Sequence, residues 1–213
     1  MARKALPGLF FVVLSLSSLC FAQKNELTIS AGATFASGTT TSSFACPAVV
    51  LPCPTPVFGL NTSTAASYEG TYARRLADFR VGSLSIELPV LGIPSRNVHL
   101  EGAPFIRENH FSFFLTPSAK FQFLSGHKIS PFVSAGGGFA YFGGSFRFVN
   151  RTTAAAQFGA GLDFKLPVSF LSFRTEVRDF YTGRPGVEQI LGANDTPNAQ
   201  HNVFTGGGLV IHF

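Results

Sequence analysis

The chain has 213 residues, of which 46% are hydrophobic and only 13% charged, with 25 phenylalanines and no tryptophan. That supports one domain with a sizeable apolar surface, and it is too little charge for the fully solvated exterior of a soluble domain. The formal net charge is +5 and the pI near 9.4. The bases are scattered, with one doublet at Arg74-Arg75 in the body of the chain and no basic patch with interleaved aromatics, which excludes nucleic acid as a partner.

Residues 1–22 read as a signal peptide. Arg3 and Lys4 precede an apolar run from Leu9 to Leu19, and Cys20-Phe21-Ala22 puts small residues where a signal peptidase reads them. A membrane-spanning helix needs about 18 to 20 apolar residues, more than this run supplies. A lipoprotein signal needs a small residue before the cysteine, where Leu19 stands. Cleavage after Ala22 leaves residues 23–213 as one domain, and losing Arg3 and Lys4 lowers the net charge from +5 to +3. Cys46 and Cys53 remain. No further Cys or His lies near them at metal-ligand spacing, so in an exported chain they read as a loop disulfide, with neither metal nor cofactor implied.

Eight segments of period-two character follow, joined by alternately long and short connections. The first, 26–36, sets Leu27, Ile29, Ala31, Ala33 and Phe35 against Thr28, Ser30, Gly32 and Thr34. After a long Thr/Ser/Pro-rich connection holding both cysteines, strands 67–76 and 81–90 are expected around a short turn at 77–80. In the third strand Leu84, Ile86 and Leu88 oppose Ser83, Ser85 and Glu87. A second long connection, 92–109, leads to a single fourth strand whose Phe111, Phe113, Leu115, Ala119, Phe121 and Phe123 share one face. The turn at 125–128 opens strand five, 129–142, with its Gly136-Gly137-Gly138 run.

Strand six, 154–166, and strand seven, 169–180, form a hairpin in which Pro167-Val168 as a two-residue turn would place Leu166 opposite Ser169. The last long connection, 182–200, contains Arg184-Pro185-Gly186 and Asn194-Asp195-Thr196-Pro197, poor material for helix or strand. It delivers the chain to strand eight, 201–213, where Val203, Thr205, Leu209, Ile211 and Phe213 oppose Asn202, Gly206, Gly208 and His212. Eight strands of about ten residues with short turns at one end predict an all-β fold: an eight-stranded antiparallel up-and-down transmembrane β-barrel, apolar outside. A secreted barrel of lipocalin type has the same periodicity with the opposite sense. With no tryptophan, any interfacial girdle falls to Phe and Tyr, such as Tyr68, Tyr72, Tyr141 and Tyr181.

A chain ending in Leu209-Val-Ile211-His-Phe213 resembles the C-terminal signal of bacterial outer-membrane barrels. With segments 129–142, 158–164 and 173–181, it is similar to the small outer-membrane β-barrel family related to OmpA and OmpX. The resemblance implies an integral protein of the bacterial outer membrane that meets lipopolysaccharide and other outer-membrane lipids and is inserted by barrel-assembly machinery reading the last strand. Activity is left open, since members include anchors and adhesins.

The same alternation sends Glu69, Arg75, Glu87, Lys120, Asp163, Lys165, Arg174, Glu176 and Arg178 into the lumen, four acids and five bases. An eight-stranded barrel is just wide enough for its own side chains, so these groups are expected to pair into a plug; a narrow channel is the alternative. Inward glycines such as Gly32, Gly136, Gly138, Gly159, Gly161, Gly206 and Gly208 leave them room.

Lipid A deacylases on this scaffold place a His and a Ser two apart on one strand, as His110 and Ser112 are here. That pair falls on the lumen face, away from a membrane lipid, and Phe113-Phe114 replaces the Asn-Ala of the lipid A deacylases, so no enzyme is expected. His99, His127 and His201 read as solvated loop or strand-end residues. Function is therefore expected in the extracellular loops, through adhesion or a surface ligand.

Overall fold

Alternation is what the backbone realises in the computed structural model, which describes residues 25–37, 40–43, 57–100, 107–144, 150–183 and 199–213. Its strands are β1 (Asn25–Ser37), β2 (Thr40–Ser43), β3 (Val57–Thr62), β4 (Ala65–Phe79), β5 (Gly82–Leu100), β6 (Arg107–Leu115), β7 (Ser118–Phe123), β8 (Ile129–Gly144), β9 (Arg151–Lys165), β10 (Leu171–Thr182) and β11 (Gln200–His212). With β6 and β7 counted as one stave, eight antiparallel staves follow in chain order. The sheet closes where β1 pairs with β11, from Glu26 opposite His212 to Ser37 opposite His201. Beyond that ladder, Asn25 and the terminal Phe213 exchange backbone hydrogen bonds at 2.7 and 3.0 Å, leaving no free edge at the seam.

The sense of the alternation separates a membrane barrel from a soluble one. Leu27, Ile29, Ile86, Phe158 and Val177 are exposed on the outer wall, as are Leu209, Ile211 and Phe213 of the terminal strand. Thr28, Ser30, Glu69, Ser85, Glu87 and Lys120 are buried inside. Tyr72 bonds Asn25 near one end of the wall, and Tyr181 packs on His201 near the other, with ring centroids 4.9 Å apart. These tyrosines suit the two edges of an apolar band.

Five strand expectations need correction. The first short turn lies at 80–81 and not over 77–80, because β4 runs on to Phe79 past a bulge between Arg75 and Ala77. β5 does not stop at 90 but runs to Leu100, because a bulge between Ile93 and Arg96 switches its inward face from odd to even numbers and breaks the period. The connection expected over 92–109 thereby gives up 92–100 to β5 and 107–109 to β6. The fourth stave is two strands, since Pro117 has no N–H to give. Across the break Gly137 N donates to Pro117 O at 3.1 Å and Thr116 N to Pro89 O at 3.4 Å.

The β9–β10 hairpin turns over 167–170, so Leu166 donates to Leu171 O at 3.2 Å instead of facing Ser169. Finally, the first long connection holds a hairpin, β2–β3, whose second strand continues the sheet on the outer end of β5. Cys46, Cys53 and residues 1–22 lie outside the described residues.

At Gly208 strand β11 passes close against β1. A Cβ there would land on the backbone oxygen of Ile29, which cannot swing away. Gly208→Val is expected to abolish the compact, heat-modifiable band of the folded barrel on unheated gels. Gly70→Ala, with nothing within 4 Å of the new methyl, is expected to keep it.

Candidate functional site in the barrel lumen

Strand parity places every inward side chain in a space only a few residues wide, so what fills the lumen follows from which residues face each other. Near the end with the short turns, Arg174 of β10 forms a two-pronged bond with Asp163 of β9, Nε to Oδ1 at 2.7 Å and Nη2 to Oδ2 at 2.8 Å. Lys120 of β7 reaches across to Glu26 of β1 at 2.6 Å, and Arg174 approaches the same carboxylate at 3.6 Å. The Phe132 ring lies 4.6 Å from the Arg174 guanidinium and 5.6 Å from the Lys120 ammonium, offering both cations its face.

One layer further in, a single guanidinium serves three carboxylates. Arg178 lies 2.6 Å from Glu87, 2.8 Å from Glu176 and 3.1 Å from Glu69. Neighbouring hydroxyls supply further donors: Ser118 to Glu87 at 3.0 Å, Thr71 to Glu69 at 2.8 Å and Ser30 to Glu176 at 3.0 Å. All four charged groups are buried. Gly159 makes room for this arginine, since a Cβ there would sit 3.0 Å from Arg178 Cγ.

Above the ions the lumen turns apolar. Leu91, Ile93, Phe114, Phe142, Phe180 and Phe204 belong to one fully buried cluster. Phe114 packs on Phe180 and Phe142 with ring centroids 5.2 and 5.8 Å apart. Arg96 closes this layer, donating to Asn202 Oδ1 at 2.7 Å and to the Thr34 carbonyl at 3.3 Å.

Of the nine charges assigned to the lumen, Glu69, Glu87, Lys120, Asp163, Arg174, Glu176 and Arg178 meet in these two clusters. Arg75 stands at the mouth, 3.6 Å from Glu26 and 3.4 Å from Asp78, and Lys165 is exposed on the rim. Two members escaped the sequence reading. Glu26 shares parity with Thr28 and Ser30 and was detectable on that ground, whereas the bulge hid Arg96. The aromatic layer also went unread, because Phe114 and Phe142 each follow another aromatic and parity alone decides which ring turns inward.

His110 and Ser112 are buried on the lumen face, with the His110 ring 6.5 Å from Phe142. His201 is exposed at the start of β11, as expected, and its Nδ1 lies 2.6 Å from Asp179 Oδ2 on the outer wall. Among the described residues no group of His, Cys, Asp and Glu is arranged to hold a metal.

A closed eight-stave sheet with an apolar exterior and a polar, side-chain-filled interior defines a small integral β-barrel of the bacterial outer membrane. No family model and no curated protein matches the chain. Among solved structures it is similar to the outer membrane protein OprG of Pseudomonas aeruginosa, at 10% identity over 90% of this chain and 96% of that one, with a TM-score of 0.56. Looser likenesses are to Neisserial surface protein A, at 12% identity over 91% and 100% with a TM-score of 0.49, and to the outer membrane enzyme PagL, at 16% over 86% and 97% with a TM-score of 0.40. At these identities the OprG likeness bears on the fold alone, and the other two carry no argument.

Removing one partner of a buried ion pair costs about 3–5 kcal/mol, because the other charge is left behind. Arg174→Met is expected to lose stability on that scale in urea unfolding, and adding Asp163→Asn to recover part of it. A loss below about 1 kcal/mol, the scale of an exposed pair, would mean that the lumen is wet.

Proposed function

We propose that the chain is a non-enzymatic outer-membrane barrel that acts through its extracellular face, by adhesion or by binding a surface partner, with a lumen that stays filled. One observation supports this above all. Two ion-paired layers and an aromatic layer succeed one another along the lumen, so a permeating ion would have to break buried pairs and then part a packed ring cluster.

The strands support the extracellular assignment. At about 3.3 Å per residue, the 19 residues of β5 extend roughly 60 Å, or about 45 Å along the membrane normal at a tilt near 40°, against an apolar band about 25 Å tall. The outer end of β5, with β6 and the β2–β3 hairpin, therefore stands beyond the membrane as a sheet offered to the medium. Lipopolysaccharide surrounds that sheet, and the outward Leu209, Ile211 and Phe213 are what assembly machinery would read.

The test is conductance in a planar bilayer, using refolded residues 23–213 whose folded state is checked by gel shift. A folded barrel without discrete openings is expected. Openings whose ion selectivity changes in Arg174→Met would instead establish the narrow channel. Deleting residues 44–56 is expected to preserve the folded band while abolishing adhesion to host-cell or matrix surfaces. Unchanged adhesion would place the activity elsewhere.

A further inference from the structure

The end of the lumen that holds the short turns is not filled. Between the turn at 124–128 and the β9–β10 hairpin lies an open cavity of about 320 Å³, at the small end of the range for ligand pockets, about 300–1,000 Å³. Its chemistry is lopsided. Lys165 lines it, and its ammonium group has no partner among the described residues. Arg75 lines it too, with a buried Nε that bonds nothing and only long contacts, 3.4 and 3.6 Å, from its other nitrogens. The one side-chain carboxylate in the lining, Asp163, is already occupied by Arg174 at 2.7 and 2.8 Å and by Gln122 at 3.1 Å, and the main-chain carboxylate of the terminal Phe213 accepts from Asn25 N at 2.7 Å. A ligand therefore meets two under-used cations, while both carboxylates at the lining already have partners.

Two further features narrow the ligand. Gln122, itself buried, spends its amide nitrogen on Asp163 and leaves Oε1 unpartnered, an acceptor waiting for an N–H or O–H. Phe170 gives the cavity an apolar side. An anionic group beside a hydrogen-bond donor, on a small partly apolar body, describes the free carboxylate end of a peptide, where the last amide N–H adjoins the carboxylate. We propose that this vestibule, which opens on the periplasmic side, binds the carboxyl terminus of a short peptide, with Lys165 and Arg75 on the carboxylate and Gln122 on the last amide.

The full mature chain in neutral detergent, labelled with ¹⁵N, tests this by titration with N-acetyl-alanyl-alanine, its C-terminal amide, and inorganic phosphate. Saturable shifts confined to residues 122–130 and 163–172 are expected with the acid and not with the amide. Lys165→Gln is expected to weaken that binding about tenfold or more, the worth of one charge-assisted hydrogen bond. Lys165 is exposed on the rim, so its replacement leaves the folded band unchanged. Phosphate binding as tightly as the peptide acid would overturn the peptide assignment in favour of a simple anion site. No saturable shift, equal binding of acid and amide, or full affinity in Lys165→Gln would overturn the site itself.

Discussion

Buried charge inside a narrow barrel is the constraint from which the rest of this structure follows. Eight staves leave an interior that side chains fill, and a carboxylate or guanidinium there has little water to lean on. Arg174 meets this by gripping Asp163 with two parallel bonds, and Arg178 by standing among Glu69, Glu87 and Glu176. The partners come from β4, β5, β9 and β10, so the pairs tie opposite walls together as well as neighbouring strands. Above them Phe114, Phe142 and Phe180 pack on one another, and Arg96 finds its partners in Asn202 and the Thr34 carbonyl.

The outer wall obeys the opposite rule for the same reason. Hydrocarbon offers no hydrogen bonds, so every backbone group must be paired within the sheet and side chains at mid-height must be apolar. The described outward charges keep to the ends of the wall: Arg74 near the short turns, the Asp179–His201 pair near the outer rim. Where the ladder is interrupted at Thr116–Pro117, neighbouring strands supply the missing bonds, and the barrel stays closed.

The architecture could be read from residues alone because period-two alternation is local: each of the eight segments declared its inward face through pairs such as Leu84–Ser85 or Phe173–Arg174. What stayed hidden was decided elsewhere. The Ile93–Arg96 bulge changes parity without a sequence signature beyond Pro94, and so concealed the outer half of β5 together with Arg96. Asp179 and His201 lie 22 positions apart, and only the β10–β11 register brings them together. The vestibule exists because the hairpin turns at 167–170 and leaves Lys165 on the rim, a detail of two residues.

The claim that the lumen is a dry, paired interior is most directly measured by a double-mutant cycle between Arg178 and Glu87, whose side chains lie 2.6 Å apart with no exposure. Unfolding free energies of the native chain, Arg178→Met, Glu87→Gln and the double variant yield the coupling between the two groups. A coupling of about 2 kcal/mol or more is predicted, within the range for directly contacting residues in one network. A coupling under about 0.5 kcal/mol, the value for independent sites, would contradict the account and leave a hydrated lumen in its place.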